Sequence, residues 1–268
     1  MNEEILQLQN KVKNLETMLE DLNYKVWGKL GRGSNGINTF DGRFNQLTVN
    51  GFIKTIGVGD SISDAITEVN SRGGGIVQLA AGTYTVSSDI TLLSNVSLEG
   101  AGIGNTIISF NGAYQVLVQG TLRTVGGTGV SITEGSTTVT GVGGTTFLTD
   151  VATGDVLLIT DSTSGAYAEV SSITNDTTLV LTEAWPYPSI TNLSYLIFNP
   201  ADNVQIKNLT ITNSTLSTSF ILAVRRAINF LAENVLITNN SSYGGVLFNT
   251  VINSELRNVE SSYNGTID

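Results

Sequence analysis

Residues 203–213 read NVQIKNLTITN, and similar runs follow at 229–239 (NFLAENVLITN) and at 253–259 (NSELRNV). The runs therefore start 26 and then 24 residues apart. A repeat of this length is typical of one coil of a solenoid, in which each coil buries its apolar side chains against the next. We expect short strands whose inward side chains stack from coil to coil, with the recurring asparagines in left-handed corners. The expected inward residues are Val204, Ile206, Leu209 and Ile211.

A second stretch with strand periodicity lies nearer the N-terminus and follows a short predicted helix. Asp60 or Ser61 can cap this helix, and the apolar residues from Ile62 to Val69 recur at helical spacing. After the glycines at 73–75 the pattern has a period of two, in the runs IVQL (76–79), GTYTV (82–86), ITL (90–92) and NVSLEG (95–100).

The order of these pieces resembles the opening of the pectate-lyase-like parallel β-helix superfamily. The matching motifs after the helix are GGGIVQL (73–79), AGTY (81–84), LSNVSLEGAG (93–102) and NTII (105–108). With a coiled coil in front, the chain is most similar to bacteriophage tailspikes and tail fibres. The resemblance implies a right-handed parallel β-helix and a homotrimer. It implies no active site, because the clustered Asp, His and Arg-x-Lys signatures of the lyase and polygalacturonase branches are missing.

The first 27 residues carry a seven-residue apolar repeat that predicts an α-helical coiled coil. β-branched residues predominate at position a and leucine occupies position d, a pattern that favours a dimer, whereas the family resemblance implies a trimer. A glycine-rich neck or linker with short strands is predicted for residues 28–58. The predicted oligomerisation seam consists of Ile5, Leu8, Val12, Leu15, Leu19, Leu22 and Val26.

Residues 121–195 interrupt the solenoid pattern. No Lys or Arg occurs between Arg123 and Lys207, and five strand-like runs are separated by turns. They predict a small antiparallel barrel or sandwich, which resembles a β module that recurs in phage tail and neck proteins. The fold class is therefore all-β: a parallel β-helix with an inserted β module and an N-terminal coiled coil. The predicted divisions are 1–27, 28–58, 59–120 with a capping helix at 60–70, 121–195, and 196–268.

Composition narrows the chemistry that this chain can perform. The 268 residues have a net charge of −10 and contain no His and no Cys. Nucleic acid is therefore not an expected partner, and thiolate or imidazole metal sites are excluded. Asp155, Asp161 and Asp176 could approach one another as oxygen ligands for Ca²⁺, but solvated turn aspartates are the favoured interpretation, so no metal and no cofactor is predicted. We find neither a signal peptide nor a run of 18 apolar residues, and expect no membrane insertion.

Two groups of residues are candidates for a site. Glu233 and Arg257 occupy equivalent positions in adjacent coils, about 5 Å apart, with Glu255 nearby. They are candidate catalytic residues for a sugar-acid substrate, or they form a salt bridge between coils. Trp185 and Tyr187, in the segment WPYP, either pack at the junction of the inserted module or stack on a sugar.

Three functions fit this sequence. The favoured one is a structural and host-attachment subunit of a virion tail fibre or tailspike, assembled in the host cytoplasm with other tail proteins and contacting host surface polysaccharide. The alternative is a depolymerase, either a glycoside hydrolase or a lyase, that acts on a capsule or a pectin-like glycan. The third is a bacterial surface or matrix protein with a solenoid stalk. The absence of a catalytic signature favours a chain that is not an enzyme.

Overall fold

The computed structural model describes residues 51–160, 165–213, 220–238 and 244–262. The predicted coiled-coil seam from Ile5 to Val26 and most of the predicted neck lie outside the described residues.

Two groups of parallel strands, one on each side of an inserted segment, form a solenoid. In chain order the strands before the insert are β1 (Phe52–Ile56), β2 (Gly75–Leu79), β3 (Gly82–Val86), β4 (Ile90–Leu92), β5 (Val96–Glu99), β6 (Thr106–Phe110) and β7 (Val116–Gln119). Those after it are β16 (Ala201–Asp202), β17 (Gln205–Asn213), β18 (Leu222–Ile228), β19 (Leu231–Thr238), β20 (Val246–Ile252) and β21 (Glu255–Ser262).

The strands stack on three faces of the solenoid. The first face has the order β1-β2-β5-β17-β19-β21, and every pair in it is parallel. The second face consists of β3 and β6, continued by the second halves of β17, β19 and β21. The third face consists of β4, β7, β16, β18 and β20. The parallel β-helix predicted from the repeat is therefore confirmed.

Apolar side chains fill the interior of the β-helix in ladders that run along its axis. Val77, Leu98, Ile206 and Ala232 occupy matching positions in successive coils of the first face, and all four are fully buried. The predicted inward residues Val204, Leu209 and Ile211 are also buried. This continuous core gives the strands a single register, because a slip of one residue would turn the apolar side chains outward.

Asparagines form the corners between faces, as the repeat predicted. Asn208, Asn234 and Asn258 all have φ between 48° and 55°. The Nδ2 atom of Asn234 donates to the Oδ1 atom of Asn208 at 3.0 Å, and that of Asn258 donates to the Oδ1 atom of Asn234 at 2.8 Å. A left-handed conformation costs asparagine less than most residues, and the stacked amides hydrogen-bond one another along the axis. These ladders therefore tie neighbouring coils together at the surface.

The predicted helix is α1 (Ile62–Ser71), and Ser61 is its N-cap, with its hydroxyl accepting from the backbone N–H of Asp64 at 3.1 Å. Its buried face packs against β1 and β2 and covers one end of the β-helix core. Neither α1 nor the four-residue helix in the insert is long and apolar enough to cross a bilayer, and no other described helix exists.

Two predicted boundaries differ from the structure. Residues Phe52–Ile56, assigned to the neck, pair residue by residue with β2 and so belong to the β-helix. Residues Tyr195–Asn199 pair in antiparallel fashion with a strand of the insert, so that the insert continues past the predicted boundary at Tyr195. The partner strand of neither segment could be predicted, because pairing depends on residues distant in the sequence.

Between β7 and β16 the chain forms an antiparallel sheet with its own core, which includes Phe147, Leu157 and Trp185. The strand order is β14-β9-β10-β13-β12-β11-β15-β8, and a short helix, α2 (Phe147–Asp150), follows β10. The strands are β8 (Thr121–Leu122), β9 (Gly129–Ile132), β10 (Thr138–Val142), β11 (Val156–Ile159), β12 (Tyr167–Asn175), β13 (Thr178–Leu181), β14 (Ile190–Leu193) and β15 (Tyr195–Asn199).

Candidate functional site

A groove of about 500 Å³ lies where the insert meets the β-helix. One side is lined by β12 and the segment after β13, including Tyr167, Glu169 and Tyr187, and the other by the corner residues Asn229 and Asn253. A second hollow, of about 440 Å³, continues from it along Leu158 and Thr250 and shares Tyr167 and Asn253 with it. The volume of the groove falls within the range of small-molecule binding sites.

The two aromatic candidates have different surroundings. Trp185 is only 1% exposed, lies in the core of the insert, and donates its indole N–H to the carbonyl of Pro188 at 3.2 Å. The prediction that Trp185 stacks on a sugar is therefore wrong, because its ring faces are covered by protein. Tyr187 packs edge-on against Trp185, with ring centroids 4.9 Å apart, and lines the groove. Trp185 thus positions the tyrosine that a ligand could contact.

Two carboxylates at the groove, those of Glu169 and Asp202, have raised pKa values. Although Glu169 is exposed as a residue, partial desolvation raises the pKa of its carboxyl group, and repulsion from Asp202 and Glu183 adds to this effect. Burial raises the pKa of Asp202 more than hydrogen bonds from the Asn229 side chain and the Asn203 backbone lower it. Glu169 and Glu183 line the groove, with Asp202 beneath its Asn229 corner. Among the described residues that line the groove, no Lys or Arg balances this charge.

Asp202 also interrupts the second asparagine ladder. Asn203 donates to Asn95 at 3.1 Å and Asn253 donates to Asn229 at 3.0 Å, but Asn229 donates to the Oδ1 atom of Asp202 at 2.9 Å and not to Asn203. The Oδ1 atom of Asn203 consequently has no hydrogen-bond partner in the described part of the chain, although it is buried. A carboxylate has thus replaced an amide as acceptor at the coil nearest the insert.

Glu233, Glu255 and Arg257 come together as the sequence predicted, but as exposed ion pairs. Arg257 donates to both carboxylate oxygens of Glu255, at 2.5 and 2.6 Å, and one of its nitrogens lies 4.0 Å from Glu233. The hydrogen bond from Arg257 lowers the pKa of Glu255, whereas a general acid in glycoside hydrolysis requires a raised pKa. None of the three lines the groove. This geometry favours ion pairing over a catalytic role, with the close pair within one coil and a longer contact to Glu233 in the preceding coil.

The aspartates considered as calcium ligands have structural partners. Asp155 is fully buried and accepts two hydrogen bonds from Arg123, at 2.9 and 3.0 Å, and one from the backbone of Ala152. Asp176 accepts from the backbone N–H of Leu148 at 3.2 Å, and Asp161 lies outside the described residues. No group of three potential metal ligands occurs within residues 51–160, 165–213, 220–238 and 244–262.

Replacing Glu169 with Gln should stabilise the protein at neutral pH. Because the folded-state pKa of Glu169 is raised, the ionised carboxylate opposes folding above that pKa, and this cost disappears as the pH falls below the ordinary value of ~4.3. We expect a gain of at most about 1 kcal/mol near pH 7, because solvent screens an exposed group. Urea unfolding of both proteins across this pH range measures the difference.

Glu255→Gln is the matched control for this prediction. The folded-state pKa of Glu255 is lowered, so its ionised form stabilises the protein above the ordinary pKa, and that contribution is lost as the pH falls through the lowered value. The two substitutions should therefore act in opposite directions at neutral pH. Effects of the same sign would contradict the assignment of unfavourable charge to the groove.

The strand pairing defines the class of this protein: a parallel β-helix interrupted by an antiparallel β-sheet. No family model and no curated protein matches the sequence. Among solved structures it is similar to the tailspike protein of Pseudomonas phage LKA1, at 15% identity and a TM-score of 0.44, over 74% of this chain and 38% of the tailspike.

Two further solved structures are similar in fold. The tailspike of Acinetobacter baumannii bacteriophage AP22, solved with capsular saccharide, matches at 15% identity and a TM-score of 0.39, over 75% of this chain and 44% of that one. The mannuronan C-5 epimerase AlgE4 A-module of Azotobacter vinelandii matches at 15% identity and a TM-score of 0.33, over 78% of this chain and 49% of the module. This chain thus spans less than half of each of the three.

Proposed function

We propose that this chain is a structural and host-attachment subunit of a virion tail fibre or tailspike, and that it binds carbohydrate on the host surface. The observation that carries the proposal is the groove between the insert and the β-helix. It combines tyrosine rings, amides and carboxylates on a scaffold whose coils are joined by side-chain ladders. Sites built on such regular elements hold their ligand-binding groups in a constant geometry, which suits recognition of a repeating glycan.

Assembly as a homotrimer is part of this proposal. The heptad repeat in residues 1–27 supports a parallel oligomer, and the resemblance to tailspikes supports the number three. Other tail proteins are the proposed partners in the virion, after assembly in the host cytoplasm. Sedimentation equilibrium should yield a mass near three times 28.3 kDa, and replacing Leu15 and Leu22 with Asp should reduce it to that of a monomer. A dimer would contradict the trimer, and a monomeric wild type would contradict the coiled coil.

Attachment is tested by binding of the fluorescently labelled chain to candidate host cells. Purified surface polysaccharide from the same host should compete with binding. Polysaccharide from a strain that the labelled chain does not bind should not compete. The expected result is saturable binding that the host polysaccharide abolishes. If binding is unaffected by any surface polysaccharide, carbohydrate attachment is wrong for this chain.

A polysaccharide depolymerase is the second candidate, and the carboxylates of the groove favour it. A glycosidase requires two carboxyl groups about 5–10 Å apart, one of them with a raised pKa, and Glu169 and Asp202 both have raised pKa values. Release of reducing ends or unsaturated uronides from a host polysaccharide would establish this activity. Its loss in Glu169→Gln but not in Glu233→Gln would assign it to the groove.

A further inference from the structure

We propose that the groove binds an oligosaccharide that carries free amino groups and discriminates against polyuronates such as pectin. This inference rests on the proposed carbohydrate attachment and specifies the class of sugar that the groove accepts. Its basis is the combination of two aromatic rings, a set of hydrogen-bond acceptors and an uncompensated negative charge within one concave surface.

The tyrosines provide the apolar surface that a sugar ring requires. Tyr187 is held against Trp185, which is itself fixed by its hydrogen bond to Pro188, so that the tyrosine ring is ordered before a ligand arrives. Tyr167 is 38% exposed and lies between the two hollows. Aromatic side chains with one apolar face and one polar group are suited to a ligand that is itself apolar on one side and rich in hydroxyls on the other.

The polar groups of the groove are chiefly acceptors. Asn229 and Asn253 use their Nδ2 atoms within the corner ladder, to Asp202 and Asn229 respectively. The carboxylates of Glu169 and Glu183 are acceptors on the opposite side of the groove. Such a surface matches a ligand with several donors, and an ammonium group offers three.

The negative charge of the groove determines which class of sugar it favours. The carboxylates are close enough for Asp202 and Glu183 to disfavour ionisation of Glu169, and no Lys or Arg is among the described residues that line the groove. A uronate brought into this surface would add another negative charge to a partly desolvated cluster, whereas an ammonium group would neutralise part of it. The pectin-like substrate of the alternative function is therefore a poor match for this groove.

Three tetrasaccharides test the proposal by isothermal titration of the intact chain at low ionic strength. They are the fully deacetylated β-1,4-linked glucosamine tetramer, its N-acetylated counterpart, which keeps the backbone without the charge, and tetragalacturonate. We expect the amino tetramer to bind at least about tenfold more tightly than the neutral one, and tetragalacturonate to bind most weakly. The preference for the amino sugar should decrease as salt is added.

Substitutions in the groove distinguish the contribution of charge to the binding affinity from that of stacking. The double substitution Glu169→Gln with Glu183→Gln should reduce the preference for the amino tetramer over the neutral one to less than about threefold. Tyr187→Ala should weaken both tetramers by about tenfold. Glu255→Gln removes a carboxylate from the ion pair with Arg257, away from the groove, and should change none of these affinities. Circular dichroism of each variant checks that it retains the fold.

The outcomes distinguish this inference from the proposed attachment. Equal or tighter binding of tetragalacturonate, or an unchanged amino-sugar preference in the double variant, would overturn the inference. If the labelled chain still attaches to cells in a polysaccharide-dependent way, carbohydrate attachment nevertheless stands. Selective binding of the amino tetramer by a chain that attaches to no cell would support the inference and overturn the attachment role.

Discussion

Replacing Arg123 with Met should destabilise the insert by about 3–5 kcal/mol. Arg123 is the partner of Asp155, which has no solvent exposure, and the two are joined by a pair of hydrogen bonds at 2.9 and 3.0 Å. Without the guanidinium group, the carboxylate of Asp155 keeps only its hydrogen bond from Ala152 among the described contacts. A buried charge that loses its counter-charge carries a desolvation cost that nothing offsets.

Tryptophan fluorescence can report on this region directly. The chain has two tryptophans, so a Trp27→Phe background leaves Trp185, in the core of the insert, as the single reporter. Urea unfolding of that background with and without Arg123→Met should show a large shift of the Trp185 transition. Arg257→Met removes an arginine from an exposed pair and should shift the transition far less, because solvent screens exposed ion pairs. Equal effects of the two substitutions would show that the buried Arg123–Asp155 pair contributes no more to stability than an exposed pair does.

Replacing Gly120 with Ala should destabilise the β-helix by about 3 kcal/mol. Gly120 lies where the chain leaves the solenoid for the insert, and an added Cβ would lie 2.3 Å from the carbonyl oxygen of Arg226 and 2.5 Å from that of Asn199. It would also lie 2.9 Å from the backbone nitrogen of Ala201. These atoms are backbone, so no side chain can rotate away, and the strands at the junction must move apart.

Gly57→Ala is the matched control for Gly120→Ala. A Cβ at Gly57 would meet only the side chain of Asp60, at 3.8 Å, and Gly57 does not have a positive φ. We expect it to change the free energy of unfolding by less than about 0.5 kcal/mol, or to stabilise slightly by restricting the unfolded chain. Denaturation curves of the two variants beside the wild type decide the matter. If Gly120→Ala behaves like Gly57→Ala, the junction can adjust and is not a fixed part of the fold.

The repeat predicted the core of the β-helix well because equivalent positions in successive coils have similar residues. The spacing of Asn203, Asn229 and Asn253 determined the length of a coil, and the alternation within each run determined which side chains face inward. The pairing of Glu233 with Arg257 followed from the same spacing, and the structure places them opposite each other in β19 and β21. Properties that repeat along the chain can be predicted because stacking relates equivalent positions by a constant offset.

The candidate site could not be predicted in this way. Glu169 belongs to the insert and Asp202 to the β-helix, and no repeat relates one to the other. Their interaction depends on how the antiparallel sheet rests on the corner at Asn229, which is a matter of tertiary packing. Trp185 illustrates the same limit, since the segment WPYP left open whether its aromatic rings pack or stack on a sugar, whereas the sheet buries Trp185 and leaves Tyr187 lining the groove.

The sequence by itself determined the class of fold, the length of the coil, the left-handed corners and the capping helix, because local periodicity and residue preference are sufficient for each of them. The tertiary structure decided where the insert rests and therefore which carboxylates share the groove. It also decided that Asp202 takes the hydrogen bond that would otherwise continue the asparagine ladder to Asn203. Contacts between the inserted sheet and the solenoid join residues that no repeat relates to one another, so no pattern along the chain encodes them.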